Sequence, residues 1–131
     1  MRPGGRFAIL PTMFNSAVLD HFKNPRNAGE LAGATTVVEV ENPVCGDILR
    51  LAVRVEGGRI AEARFQTRGC VTSIACSSLL TEMLIGKTLA EAAAAVTSEA
   101  IDERFGGLPP TTRHGAELAR DAVEALLAHA R

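Results

Sequence analysis

The chain has 131 residues, and its 14 Lys and Arg nearly balance 15 Asp and Glu for a net charge of −1. This length suits one domain, and a hydrophobic content of 47% excludes a disordered charged tail. The balanced charge argues against a nucleic-acid binder, as do five Phe with no Trp or Tyr to stack on bases. Because apolar runs stop far short of the roughly 20 residues of a membrane span or the roughly 7–15 of a signal-peptide core, we expect a cytoplasmic protein without membrane contact.

The N-terminal part of the chain divides into a leader and a first helix. Residues 1–12 contain glycine and proline without periodicity and are predicted to form a loose leader. A single domain is then predicted over 13–131. Its first helix is indicated by an apolar stripe that ends before Asn24-Pro25 and consists of Phe14, Val18, Leu19 and Phe22.

The central part of the chain alternates apolar and polar residues with period two, which predicts three strands. The first contains Val38 and Val40, and the second runs from Ile48 to Val55. Gly57-Gly58 then suits the positive φ angles of a type I′ hairpin turn. In the third strand, 60–67, one shared face is predicted for Ala61, Ala63 and Phe65. The pattern indicates an antiparallel meander.

In the C-terminal half, the apolar residues recur with the period of an α-helix, which predicts helices. One stripe consists of Cys76, Leu79, Leu80 and Met83, and Gly86 closes that helix. Thr88 opens the next with a capping-box sequence, a short helix is predicted over about 98–105, and a long amphipathic helix ends the chain. The sequence therefore predicts an α+β fold, a three-stranded antiparallel sheet packed by helices, with the C-terminal helix on the sheet.

The residues that could bind a metal or act in catalysis lie in three turns of the chain. Cys45 and Asp47 flank a glycine, so that a thiolate and a carboxylate can face one centre. Cys70 falls where the third strand gives way to a helix, whose N-terminal N–H groups favour a thiolate. His114 follows a Pro-Pro break. Cys76 instead shares the phase of the apolar stripe and is predicted to pack in the core, and three cysteines argue against a disulfide framework.

Several stretches together carry a family resemblance. They are Asp20-His21-Phe22-Lys23-Asn24-Pro25-Arg26-Asn27-Ala28-Gly29, Asn42-Pro43-Val44-Cys45-Gly46-Asp47, and Gly69-Cys70 through Ser73-Ile74-Ala75 to Thr81-Glu82. In order and separation they resemble the NifU/IscU family of iron–sulfur cluster assembly scaffolds, from about Met13 to the C terminus. The chain lacks the insertion that marks the SufU branch, which favours the IscU-like branch. The resemblance implies a [2Fe–2S] cluster built on three cysteines with an Asp or His, then transferred to apo-proteins.

The resemblance also assigns ligands and partners. Cys45, Asp47 and Cys70 match the family's ligand pattern, whereas Gly115, directly after His114, stands where the third cysteine is expected. In the family, that cysteine is also a favoured acceptor of persulfide sulfur from the desulfurase, so the resemblance implies that its replacement affects both cluster ligation and sulfur receipt. The implied partners are a cysteine desulfurase and apo iron–sulfur client proteins. Thr112 replaces the lysine of the family's chaperone-recognition motif, which argues against an Hsp70-type chaperone.

Three functional hypotheses follow. Cys45, Asp47, Cys70 and His114 still offer two sulfurs, one oxygen and one nitrogen, enough for zinc or for a mixed-ligand [2Fe–2S] cluster. We predict a scaffold or cluster carrier that is not an enzyme. The alternative is a zinc-binding or metal-free interaction module that retains desulfurase and client binding. A cysteine-nucleophile enzyme using Cys70 and His114 is the third, although no oxyanion or substrate signature accompanies those residues.

Overall fold

The computed structural model describes residues 16–43, 46–108 and 113–129. These ranges contain, in chain order, α1 (Ser16–Lys23), β1 (Thr36–Glu41), β2 (Ile48–Glu56), β3 (Arg59–Arg68), α2 (Val71–Leu84), α3 (Leu89–Ala95), α4 (Ser98–Arg104) and α5 (His114–His129). The predicted α+β order, strands followed by helices, is confirmed. The leader predicted at 1–12 lies outside the described residues. No helix in these ranges has the length and apolarity to cross a membrane.

The sheet is an antiparallel meander in the order β1-β2-β3. Two residues, Gly57 and Gly58, connect β2 to β3, with φ angles of 60° and 81°. These angles are the left-handed conformation that a type I′ turn requires at both central positions, and glycine adopts it without the steric cost of a Cβ. The predicted hairpin is therefore confirmed, and it places the start of β2 and the end of β3 at the same end of the sheet.

The buried face of β3 begins one residue earlier than the sequence predicts. Ile60 is 1% exposed, whereas Ala61 is only partly buried, so the prediction that Ala61 shares a face with Ala63 and Phe65 is wrong. The register explains the difference, because Val55 pairs with Ile60 while the preceding Arg54 pairs with Glu62. Ala61 is thus the extra residue of a β-bulge, which interrupts the alternation of faces.

Only part of the apolar stripe predicted for the first helix is buried, and Val18 is its buried member at 1% exposed. Phe22 is 37% exposed, although the apolar stripe placed it inside, and the neighbouring His21 is buried. His21 Nδ1 lies 2.8 Å from the Oγ of Ser78 on α2, and its ring meets the ring of Phe105 edge-on. A buried imidazole is tolerated here because its polar atom has a hydrogen-bond partner. The predicted Phe14 of this stripe lies outside the described residues.

Burial of His21 predicts a dependence of stability on pH. Desolvation lowers the pKa of His21 below its usual value near 6.5. The unfolded chain therefore binds the proton more readily, and the free energy of unfolding should fall as the pH drops through about 6.5 and below. Urea unfolding at pH 7.5 and pH 5.5 measures this change. The decrease should be smaller for His21→Gln, and equal decreases in both proteins would contradict the assignment.

Helix α2 is the centre of the domain. It packs against α1, β3 and α5, and α5 in turn lies across β1 and β2, as predicted for the C-terminal helix. Cys76 on α2 is fully buried, and burial raises the pKa of its thiol, so the prediction that it packs in the core is confirmed. The capping box predicted at Thr88 is present, with reciprocal hydrogen bonds between Thr88 and Glu91. This packing brings the N termini of α2 and α5 to one end of the sheet.

Candidate metal centre

Three of the four predicted ligands come together at that end of the sheet. Asp47 immediately precedes β2, Cys70 is the N-cap residue of α2, and His114 is the first residue of α5. One ligand atom from each lies within 4.8 Å of the others. Asp47 is buried, His114 is partly buried and Cys70 is exposed, so the group opens to solvent on the thiol side. The fourth predicted ligand, Cys45, lies outside the described residues.

The three ligand atoms form a triangle of equal sides. Cys70 Sγ lies 3.5 Å from Asp47 Oδ2 and 3.5 Å from His114 Nε2, and Nε2 lies 3.5 Å from Oδ2. In a tetrahedral zinc site, bond lengths near 2.3 Å to sulfur and 2.0–2.1 Å to nitrogen or oxygen separate neighbouring ligand atoms by about 3.3–3.6 Å. The observed separations therefore match those of ligands that share one metal ion.

The atoms in contact do not match a nucleophile that is activated by a base and an orienting carboxylate. In a catalytic triad, the nucleophile contacts one imidazole nitrogen and the orienting carboxylate contacts the other. Here Cys70 Sγ and Asp47 Oδ2 both approach Nε2 of His114. The Nε2 atom of the imidazole therefore points at the same centre as the thiol and the carboxylate. This arrangement is typical of metal ligation and unlike a proton relay from Cys70 to His114.

The carboxylate of Asp47 is held from two sides. A Cβ placed on Gly69 would lie 2.6 Å from Asp47 Cγ and 2.9 Å from Oδ1, so only glycine leaves room for the carboxylate there. On the other side, the hydroxyl of Ser73 donates a 2.5 Å hydrogen bond to Oδ2. Neither role follows from the local sequence pattern. The available signal for Ser73 was its position three residues after Cys70, in the first turn of α2.

Gly69 offers a test of this arrangement that removes no ligand. In Gly69→Ala the new methyl group occupies the space of the Asp47 carboxylate and displaces it from the triangle. Because a positioning partner typically contributes 10–100-fold to metal affinity, we expect a loss of about that size in Co²⁺ or Zn²⁺ affinity. Isothermal titration calorimetry measures it. Gly58→Ala, which strains the left-handed hairpin turn away from the triangle, controls for a general loss of stability, and equal affinities in all three proteins would contradict the prediction.

Gly115 lies beside the triangle at a close contact between two helices. It is buried, and a Cβ placed on it would meet the backbone oxygen, carbonyl carbon and Cγ2 of Thr72 at 3.0–3.1 Å. The first turn of α5 therefore approaches the first turn of α2 more closely than a larger residue allows. A glycine inside a helix costs about 1 kcal/mol relative to alanine, and this approach supplies a structural reason for that cost.

Comparison with known proteins shows the family of the chain and supports its fold. The model of the NifU-like N-terminal domain family matches residues 13–130. The iron–sulfur cluster assembly scaffold protein IscU 1 of Archaeoglobus fulgidus is 46% identical over 111 residues, which cover 85% of this chain and 72% of that protein. The scaffold protein IscU of Haemophilus influenzae is 41% identical over 119 residues, which cover 88% of this chain and 93% of that protein. A crystal structure described as a SUF-system iron–sulfur cluster assembly scaffold protein from Fervidobacterium islandicum superimposes on this chain with a TM-score of 0.72. The two chains are 22% identical, and the match covers 88% of this chain and 96% of that one.

Proposed function

We propose that this chain, which belongs to the NifU-like N-terminal domain family, is a scaffold or carrier that holds a [2Fe–2S] cluster, or its iron, for transfer to apo-proteins. The observation that carries the proposal is the triangle of Asp47, Cys70 and His114, whose donor atoms 3.5 Å apart suit a single iron ion. A [2Fe–2S] cluster divides its ligands between two irons, so the triangle would widen as the cluster forms. Cys70 is exposed, which suits a cargo that must enter and leave. Relatives that are 41–46% identical are named as IscU scaffold proteins.

The proposed ligand set is Cys45, Asp47, Cys70 and His114. Cys45 precedes Asp47 by two residues, so a short turn suffices to bring its thiolate to the same centre. Thiolates favour iron–sulfur chemistry over hard cations, and histidine is an accepted cluster ligand in mixed sites. Gly115 leaves this set with two thiolates where the family resemblance implies three. We therefore propose a site that holds its cargo less firmly than a three-cysteine scaffold does.

The proposed activity is delivery and not turnover, so the chain is proposed not to be an enzyme. A cysteine desulfurase is the proposed source of sulfur, and apo iron–sulfur proteins are the proposed recipients. Thr112 argues against recruitment of an Hsp70-type chaperone by the family's lysine-containing motif. The proposed compartment is the cytoplasm.

Anaerobic reconstitution tests the proposal. The chain is incubated with ferrous iron, cysteine, a desulfurase and a thiol reductant that releases the persulfide sulfur as sulfide, and the product is examined by visible absorption and metal analysis. A sulfide-to-iron charge-transfer band with stoichiometric iron is the expected result. A chain that acquires neither band nor iron, while a three-cysteine relative acquires both in parallel, would contradict the scaffold proposal.

A second candidate is a zinc-binding or metal-free interaction module that retains desulfurase and client binding. The 3.5 Å separations of the triangle favour it, because they match the spacing of ligands around a single tetrahedral zinc ion. Loss of one thiolate also lowers the preference for an iron–sulfur cluster relative to zinc. Zinc at one equivalent in the purified protein, with no cluster after reconstitution but undiminished binding to the desulfurase, is the result that selects this candidate.

A further inference from the structure

We propose that Ser73 is a positioning residue of the metal centre, which fixes the Asp47 carboxylate in the orientation that binds the cargo. The inference rests on the ligand site of the proposed function and adds a residue to its support. Ser73 is completely buried, and its hydroxyl donates a 2.5 Å hydrogen bond to Asp47 Oδ2. The same hydroxyl oxygen lies 3.5 Å from Cys70 Sγ. It thus touches two of the three residues of the triangle.

The hydrogen bond acts on the oxygen that faces the centre. Oδ2, and not Oδ1, is the Asp47 atom closest to Cys70 and His114 in the contacts described above. A carboxylate oxygen has two lone pairs, so Oδ2 can accept the Ser73 hydrogen bond and still direct one lone pair at a metal. With Gly69 packed against the Oδ1 side, the carboxylate is held in one orientation. Without Ser73, the contacts that the described residues leave to the carboxylate are the Gly69 packing and the 3.5 Å approaches of the two other proposed ligands, Cys70 and His114.

Ser73 is positioned by the backbone of the helix that carries it, so its place does not depend on the side chain of Ser77. It lies in the first turn of α2, and its backbone oxygen accepts a 2.7 Å hydrogen bond from the hydroxyl of Ser77. Ser77 is buried to a similar degree and makes a 2.7 Å hydrogen bond with Thr67, but none of its described contacts reaches the triangle. The chain therefore contains two buried serines one helical turn apart, of which one contacts a ligand. Ser77 is the matched control for Ser73.

The test measures Co²⁺ affinity by the visible spectrum of the bound ion, whose charge-transfer and ligand-field bands report sulfur ligation and geometry. Ser73→Ala should bind Co²⁺ 10–100-fold more weakly than the unaltered chain, the range expected when a ligand loses its hydrogen-bond partner. Ser77→Ala should change the affinity less than threefold. Ser73→Thr retains the hydroxyl and should recover most of the affinity. Thermal unfolding of each variant confirms that the comparison is between folded proteins.

A double-mutant cycle separates positioning from a general structural effect. If Ser73 acts through Asp47, Ser73→Ala should change Co²⁺ affinity less than twofold in an Asp47→Ala background. An equal loss in both backgrounds would overturn the inference, as would a Ser73→Ala protein that binds normally or a Ser77→Ala protein that loses as much. If the unaltered chain binds no Co²⁺, the ligand site is absent and this inference fails with it. If that chain binds Co²⁺ but forms no cluster, only the scaffold proposal fails.

Discussion

Replacement of Cys70 by alanine is expected to abolish detectable metal binding. Its Sγ is equidistant, at 3.5 Å, from Asp47 Oδ2 and His114 Nε2, and it is the one thiol among the described ligands. Loss of a direct ligand should exceed the roughly 10–100-fold cost of losing a group that only orients one. Co²⁺ titration and metal analysis after reconstitution provide the measurement. Cys45→Ala is expected to give the same result if Cys45 is the second thiolate of the site.

Cys76→Ala is the control for this experiment. Its thiol is fully buried in the core, so the substitution should lower the free energy of unfolding by about 1 kcal/mol while metal binding is unchanged. The reverse outcome is informative. A folded Cys76→Ala protein that has lost its metal would show that Cys76 supplies a thiolate after a rearrangement, and would contradict the ligand set proposed here.

Gly115→Cys is expected to increase the amount and the lifetime of reconstituted cluster. The new thiol would stand directly after His114, in the first turn of α5, where the helix N terminus stabilises a thiolate. A third thiolate also raises the preference of the site for an iron–sulfur cluster over zinc. The rate of decay of the charge-transfer band under a chelator measures the lifetime. Equal lifetimes in both proteins would mean that another ligand already completes the site.

The structure adds a condition to this experiment. A Cβ at position 115 meets Thr72 at 3.0–3.1 Å, so the first turns of α2 and α5 must separate by a few tenths of an ångström. Gly115→Ala introduces the same strain without the thiol and is the matched control. Thr72→Ala removes Cγ2, one of the three contacting atoms, and its Oγ1 has no hydrogen-bond partner in the described part of the chain. We expect Thr72→Ala combined with Gly115→Cys to hold cluster longer than Gly115→Cys alone.

Most of the fold follows from local patterns in the sequence. The period-two segments predicted the three strands, and Gly57-Gly58 predicted the turn, because both depend on residues close together in the chain. The long C-terminal stripe predicted α5 and its packing on the sheet for the same reason. Cys76 was correctly separated from Cys70 by helical phase alone, which is a property of one element and needs no tertiary information.

The features that the sequence did not predict depend on contacts between distant segments. His21 is buried instead of Phe22 because Ser78, 57 residues away, gives its imidazole a partner. Ala61 leaves the buried face because of a bulge in strand pairing, which no alternation within β3 reveals. The roles of Ser73 and Gly115 likewise become visible only when α2 is placed beside Asp47 and α5.

The triangle joins parts of the chain that lie far apart, since 23 residues separate Asp47 from Cys70 and 44 separate Cys70 from His114. An ion bound at the triangle would therefore bridge the start of β2, the start of α2 and the start of α5, an arrangement that the unfolded chain does not offer. By linkage, cargo at a free concentration 1,000-fold above its Kd would add about 4 kcal/mol to the free energy of unfolding. The loaded domain should accordingly resist denaturation and amide exchange at these three segments more than the empty one, and each delivery should return them to the looser state.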